Sequence, residues 1–209
     1  MGFVSTPPAS PPVHRAILAV DVERSTARNN AAKAALRAAL YELVEDALGA
    51  GGIAEAYRDP LIDRGDGVLV LVRPVDEAPK TLLLNPVIPV LTRLLATHNA
   101  ACPEQELRLR AVVHAGEVHY DSRGCFGESL DVAFRLLDAP EVKRALSRTA
   151  APLVLVTSDD VYRSIVRQGY DGIDDSCYVP LRVWTAGHEH QGWVRQSARL
   201  TVVSPKVAG

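Results

Sequence analysis

The chain has 209 residues, enough for one substantial domain with its own core. Lys plus Arg total 23 against 25 Asp plus Glu, so the net charge of −2 leaves no basic field to hold nucleic acid or an acidic membrane surface. Apolar residues make up 47%, which excludes a disordered chain, and no apolar run reaches the length of a membrane span.

The first twelve residues carry Pro7, Pro8, Pro11 and Pro12 and lack the apolar stretch of a signal peptide, so they are expected to be a disordered arm. Met1-Gly2 with Thr6 formally fits a myristoylation pattern, which is read as chance because no basic cluster supports it. Val13 to Asp21 reads as a buried strand. Ser25 or Thr26 is expected to cap the helix that follows, whose apolar stripe is Leu36, Leu40, Leu43, Val44, Ala47 and Leu48. Gly49, Gly51 and Gly52 end it. A hairpin is expected next, from a strand around Ala56 to Ile62, through a glycine-rich turn, to Val68 to Val72.

Pro74 to Leu84 reads as a loop. Asn85-Pro86 looks like a cap followed by proline at the first helical position, opening a helix with Val87, Val90, Leu91, Leu94 and Leu95 on its apolar face. Leu107 to Val118 reads as a long strand. A helix starting near Gly127 carries Leu130, Ala133, Phe134 and Leu137, and a short helix follows through Val142 and Leu146. Leu153 to Val156 is a further buried strand, and Ser158 caps a helix of Val161, Tyr162, Ile165 and Val166. Residues from about Gly172 to Thr185 read as a final hairpin, and residues 187–209 as a polar tail. The order predicts an α+β fold, a ferredoxin-like βαββαβ core with added C-terminal α and β elements. Its sheet is expected to be mostly antiparallel with helices on one face.

Two carboxylates stand out. Asp21 ends the apolar run Ala16-Ile-Leu-Ala-Val20, and Asp66 sits in the turn Arg64-Gly65-Asp66-Gly67 before the run that starts at Val68. Two buried strands that each bring a carboxylate to one edge make a site for a divalent metal. Taken singly, Asp21 fits a strand end and Asp66 an Asx turn. The cysteines Cys102, Cys125 and Cys177 are odd in number and lack Cys-x-x-Cys spacing, so they read as reduced thiols of a cytoplasmic protein. His114, in an apolar strand, reads as a satisfied core histidine. His188 and His190 have a metal-like spacing but fall in the expected tail. Ser158-Asp159-Asp160 fits a helix N-terminus with acids favoured by its dipole, and Glu128 the same device. Trp184 and Trp193 are expected to pack locally.

With these motifs placed, residues 14–186 resemble the catalytic domain of class III nucleotidyl cyclases, the adenylate and guanylate cyclases. Asp21-Val-Glu-Arg-Ser25-Thr26 is similar to their Asp-[Ile/Val]-x-x-Ser-Thr opening, and Gly65-Asp66-Gly67 to their hairpin. Val113-His114-Ala115-Gly116-Glu117-Val118 resembles their central strand. Phe126-Gly127 followed by Leu130-Asp131-x-x-x-Arg135-Leu136 resembles their Phe-Gly-x-x-Val-Asn-x-x-x-Arg-Leu helix. The resemblance implies a 13–186 cyclase-like domain that joins the 3′-hydroxyl of a nucleoside triphosphate to its α-phosphorus and expels pyrophosphate. It implies two Mg²⁺ or Mn²⁺ ions held by Asp21, Asp66 and the carbonyl of Val22. Backbone N–H groups of Glu23, Arg24, Ser25 and Thr26 would meet the phosphates, and Arg135 would stabilise charge on the α-phosphoryl group. It implies a homodimer in which one chain gives the aspartates and the other the arginine helix.

The departures from the family pattern bear on the same site. The base-selecting lysine position is Ile62 and its partner position is Gly124, so neither makes a polar side-chain contact. The ribose-orienting asparagine is Asp131, which on its own reads as a solvated or capping acid. The phosphate-binding lysine of the last hairpin has no counterpart at Ser176-Cys177-Tyr178, while Arg64 and Arg123 are nearby cations able to substitute. Three readings follow: a cyclase of unusual base choice, a degenerate nucleotide-binding module that regulates a protein partner, and a ligand-free dimerisation module. Arg64-Gly-Asp-Gly-Val68 does not supply the hairpin a diguanylate cyclase needs, and no basic recognition helix supports a DNA reader.

Overall fold

The computed structural model describes residues 11–24, 28–170, 172–185 and 188–196. The expected arm, the myristoylation pattern, Ser25, Thr26 and the end of the expected tail therefore lie wholly or mostly outside the described residues. Strand β1 spans Val13–Val22, and its alternate residues divide between two cores. Ala16, Leu18, Val20 and Val22 join helices α1 (Asn30–Ala50) and α2 (Ile88–Ala101). Ile17 and Ala19 join helices α3 (Glu128–Asp138) and α4 (Pro140–Ser147). Helices thus cover both faces of the sheet, which corrects the expectation of one covered face. The cause is visible in the strands: near-continuous apolar runs such as Gly67–Val72 are buried at every position, and only a sheet packed on both sides needs that.

The sheet has eight strands: β2 (Ile62–Asp63), β3 (Gly67–Val72), β1, β4 (Leu109–Asp121), β6 (Leu153–Ser158), β8 (His188–Arg195) and β7 (Tyr178–Thr185) in spatial order, with β5 (Gly124–Phe126) paired to the far end of β4. Only β4 and β6 run parallel; every other pair is antiparallel. The segment β2-β3-β1-β4 has the ferredoxin-like order.

Helix α1 starts later than Ser25 and Thr26 suggest. Its cap is Asn29, whose side chain accepts the Ala32 N–H at 2.9 Å. Its stripe of Leu36, Leu40, Val44, Ala47 and Leu48 is buried as the periodicity requires. Gly51 returns its N–H to Ala47, and Gly52 at φ +85° takes the left-handed turn that a side chain would resist. Asn85 is extended (φ −152°, ψ 115°), the conformation a following proline enforces, and helical backbone resumes at Pro86 and runs into α2, as the Asn85-Pro86 cap predicts. The end of the expected 74–84 loop is itself helical, from Thr81 up to this kink.

Two strand expectations change. The residues around Ala56 form a 3₁₀ turn at Glu55–Tyr57 and an isolated bridge from Arg58 to Val72, so the hairpin partner shrinks to Ile62–Asp63. At the C-terminal end, residues 188–195 are not tail but strand β8, paired to β7 and to β6. Ladder hydrogen bonds on both sides override the weak strand propensity of His-Glu-His-Gln-Gly. The segment Ser176-Cys177-Tyr178 precedes this hairpin as a 3₁₀ turn running into β7.

His114 is a satisfied core histidine. It lies within β4, 5% exposed, with Nδ1 2.7 Å from Ser158 Oγ, the same hydroxyl that accepts the Val161 N–H and caps α5 (Asp159–Ser164). Burial holds its pKa down at about 4, against an ordinary 6.5. The folded protein keeps it neutral in the window where the unfolded chain takes up a proton. Stability is therefore full above pH 6.5 and falls as the pH drops towards 4, by about 3 kcal/mol at most. Urea midpoints measured between pH 7 and 4.5 are expected to drop more steeply for the native chain than for His114→Gln. Parallel slopes would assign the acid sensitivity to another group.

Candidate functional site

Asp21 and Asp66 meet at one end of the sheet. Asp21 pairs with Gly67 across the β1–β3 ladder, and the Val22 N–H donates to the Asp66 carbonyl at 3.0 Å. A side chain at Gly67 would run into the Val20 carbonyl, so this approach of the two strands requires glycine. The hairpin that carries Asp66 is clamped from α1. Arg37 donates to both Asp63 oxygens at 2.9 and 2.8 Å and to the Gly65 carbonyl, and it draws the Asp63 carboxyl down to about 2.

Asp21 follows Ile17 and Ala19 in alternation and so faces α3. There it meets a residue that the sequence reading missed. Arg110, opposite Asp21 in the β1–β4 register, holds the carboxylate with two parallel bonds, Nε to Oδ1 at 2.6 Å and Nη2 to Oδ2. Burial raises the Asp21 pKa above the ordinary carboxylate value in spite of that pairing, and repulsion from Asp66 and from Asp138 at the end of α3 adds to the rise. Carboxylate oxygens are hard donors of the kind Mg²⁺ and Mn²⁺ take, and in this structure both oxygens of Asp21 are engaged by Arg110. Among the described residues no group of three or more His, Cys, Asp or Glu side chains gathers in metal-ligating range.

Glu23 and Arg24 form a turn after β1 and do not open a helix. The Glu23 N–H is already given to the Arg108 carbonyl at 2.8 Å, so it is not free for a phosphate. Arg24 adopts φ 57°, a left-handed conformation uncommon outside glycine.

Arg135 lies on α3, and its guanidinium meets Glu128 Oε1 at 3.3 Å and His190 Nε2 at 3.2 Å. No contact joins it to Asp21 or Asp66 among the described residues. His190 belongs to β8, so strand formation in the expected tail is what brings it here. Arg135, Asp131, Asp138 and Trp184 border a cavity of about 380 Å³. Trp184 is 69% exposed, which corrects the expectation of local packing; it projects from the edge strand β7. Trp193 does pack locally, stacked on Tyr162 at 3.6 Å with its indole N–H on Asp159.

A second groove, of about 570 Å³, opens between the β2–β3 hairpin, the β4–β5 turn and α3. It brings together Ile62, Gly124 and Asp131, three positions at which the sequence departs from the family pattern. Asp131 borders both cavities, so the groove and the Arg135 cavity adjoin along one face of α3.

No protein-family model matches the chain, and no curated protein sequence matches it. Solved structures do. The chain is similar to the guanylyl cyclase Cya2 (TM-score 0.63, 15% identity, 92% of this chain and 98% of that one). It is similar to the adenylyl cyclase CyaB from P. aeruginosa (TM-score 0.59, 16% identity, 90% and 96%). It is also similar to the guanylate cyclase domain of RhGC from Catenaria anguillulae in complex with GTP (TM-score 0.56, 12% identity, 90% and 99%). The fold is that of class III nucleotidyl cyclase catalytic domains, as the sequence motifs imply. No helix among the described residues is long and apolar enough to cross a membrane.

Proposed function

We propose that this protein is a class III nucleotidyl cyclase that converts a nucleoside triphosphate to a 3′,5′-cyclic nucleotide and pyrophosphate at a site shared between two copies of the chain. The observation that carries the reading is the register that sets Asp21 beside Asp66 at one end of the sheet. That pair stands within a fold whose solved examples include a cyclase domain in complex with GTP.

In this reading Asp21 and Asp66, with the Val22 carbonyl, would hold two Mg²⁺ or Mn²⁺ ions. Such ions supply charge neutralisation of the phosphates and a lowered pKa for the attacking hydroxyl. Arg110 keeps Asp21 directed at the α3 side. Arg24, with Ser25 and Thr26, serves the phosphates. Arg135 of the second copy, held by Glu128 and His190, stabilises the charge that develops as the O3′–P bond forms and the bond to pyrophosphate breaks. Asp131, beside Arg135, adjoins the ribose.

Purified protein given Mn²⁺ and each of the four nucleoside triphosphates is expected to release pyrophosphate and a cyclic product with at least one, and Asp66→Ala is expected to abolish release. A folded dimer that yields no product with any of the four would overturn catalysis. Tight binding without turnover would then leave the regulatory nucleotide-binding module, which Ile62, Gly124 and Asp131 favour.

A further inference from the structure

We propose that the groove between the β2–β3 hairpin and α3 selects nucleotides whose base carries a keto oxygen, guanine and uracil, over those with an amino group at the same place, adenine and cytosine. Arg123 and Arg64 are the donors that read it. This rests on the nucleotide-binding reading of the site.

The groove is the place to look because it gathers Ile62 and Gly124, the two positions at which the family resemblance puts base selection. Isoleucine and glycine supply no polar side-chain atom, so any discrimination must come from other groups on the wall. Three carboxylates and two guanidiniums line it. Asp63 has both oxygens on Arg37. Asp121 Oδ1 accepts the N–H groups of Arg123 at 2.7 Å and Gly124 at 3.0 Å, which shapes the turn. Asp131 also borders the Arg135 cavity. The guanidiniums of Arg64 and Arg123 form no ion pair among the described residues. Arg64 lies over the Phe134 ring at 4.2 Å, which holds its head group against the groove wall instead of free in solvent.

A guanidinium carries only donors. Facing O6 and N7 of guanine, or O4 of uracil, it finds acceptors. Facing N6 of adenine or N4 of cytosine, it sets N–H against N–H. The exposed arginines would otherwise be ordinary solvated surface, and two of them lining one groove whose base-reading positions carry no polar side chain is what distinguishes this site.

The test is equilibrium binding by calorimetry, with Mn²⁺ and the non-cleavable α,β-methylene analogues of GTP, UTP, ATP and CTP. The native chain is expected to bind the GTP and UTP analogues at least roughly tenfold more tightly than the ATP and CTP analogues, the ratio one good arginine–base pair confers. Arg64→Ala/Arg123→Ala is expected to bring that ratio near one while affinity for the ATP analogue stays within about twofold; both residues are exposed, and an unchanged melting temperature confirms the fold. Equal affinities in the native chain, or an unchanged ratio in the double variant, overturn the proposal. A uniform loss across all four analogues does so too, because it places the arginines on the phosphates. Binding of none of the four instead defeats the underlying nucleotide reading, and tight binding of all four with a ratio of one defeats this inference alone.

Discussion

Arg135→Ala is expected to lower kcat by about 10²–10³-fold with little change in melting temperature, the loss typical of removing one donor from developing charge in a transition state. Arg135 is about one-third exposed, and its partners Glu128 and His190 are both surface-accessible, so its removal leaves no buried charge behind. The proposed sharing of the site between two copies gives this variant a second, sharper consequence. Arg135→Ala and Asp66→Ala break opposite halves of the site. Co-expressed in equal amounts, they assemble half of their dimers as mixed pairs, each with one intact site and one doubly broken site. About a quarter of native activity is expected to return. If the mixture stays as inactive as either variant alone, all the residues act within one chain and the shared site is wrong.

The two aspartates are expected to part company in stability. Asp66 lies in an exposed turn, so Asp66→Ala is expected to remove the proposed activity while lowering the urea midpoint less than a change at the more buried Asp21 does. Asp21 is held by Arg110, and both side chains are largely buried, 18% and 12% exposed. Asp21→Ala strands that guanidinium against the α3 face without its partner, and the loss is expected to be about 3 kcal/mol. The double variant Asp21→Ala/Arg110→Met removes the stranded charge and should recover most of the stability while remaining inactive. A double variant that stays as unstable as Asp21→Ala would show that the loss does not come from a stranded guanidinium, and an unchanged midpoint in Asp21→Ala would show that the pair contributes nothing to the fold. The contrast separates an exposed turn carboxylate from a largely buried one that pairs with Arg110 across the sheet.

Most of what positions this site could be read along the chain. The apolar alternation before Asp21, the glycines flanking Asp66 and the 3.6-residue stripe from Leu130 to Leu137 are local signals, and each predicts its own element. Gly127 at φ +139° and α3 beginning at Glu128 follow the Phe-Gly motif closely. The missed pieces share one property. Arg110 matters because the β1–β4 register sets it opposite Asp21, 89 residues earlier in the chain. His190 matters because β8 inserts between β6 and β7 and lays a polar segment against α3. Polar strand residues whose importance lies in a cross-strand neighbour carry no periodic signature of their own. A signal did exist in Arg108-Leu109-Arg110, charges alternating with a core residue at the head of an otherwise buried strand, but it becomes a statement about Asp21 only once the pairing is known.

The order of periodic segments was enough to define the α+β class, and the motifs around Asp21, Asp66 and Arg135 to carry the cyclase resemblance, because those depend on residue type and near-neighbour spacing. Tertiary structure decided that helices cover both faces, that residues 188–195 are sheet, and that Asp21 is shared with Arg110. It also decided that Ile62, Gly124, Arg64 and Arg123 border one groove. Those outcomes come from strand register and layer packing, which bring together side chains up to about a hundred residues apart and are settled only when the whole sheet closes.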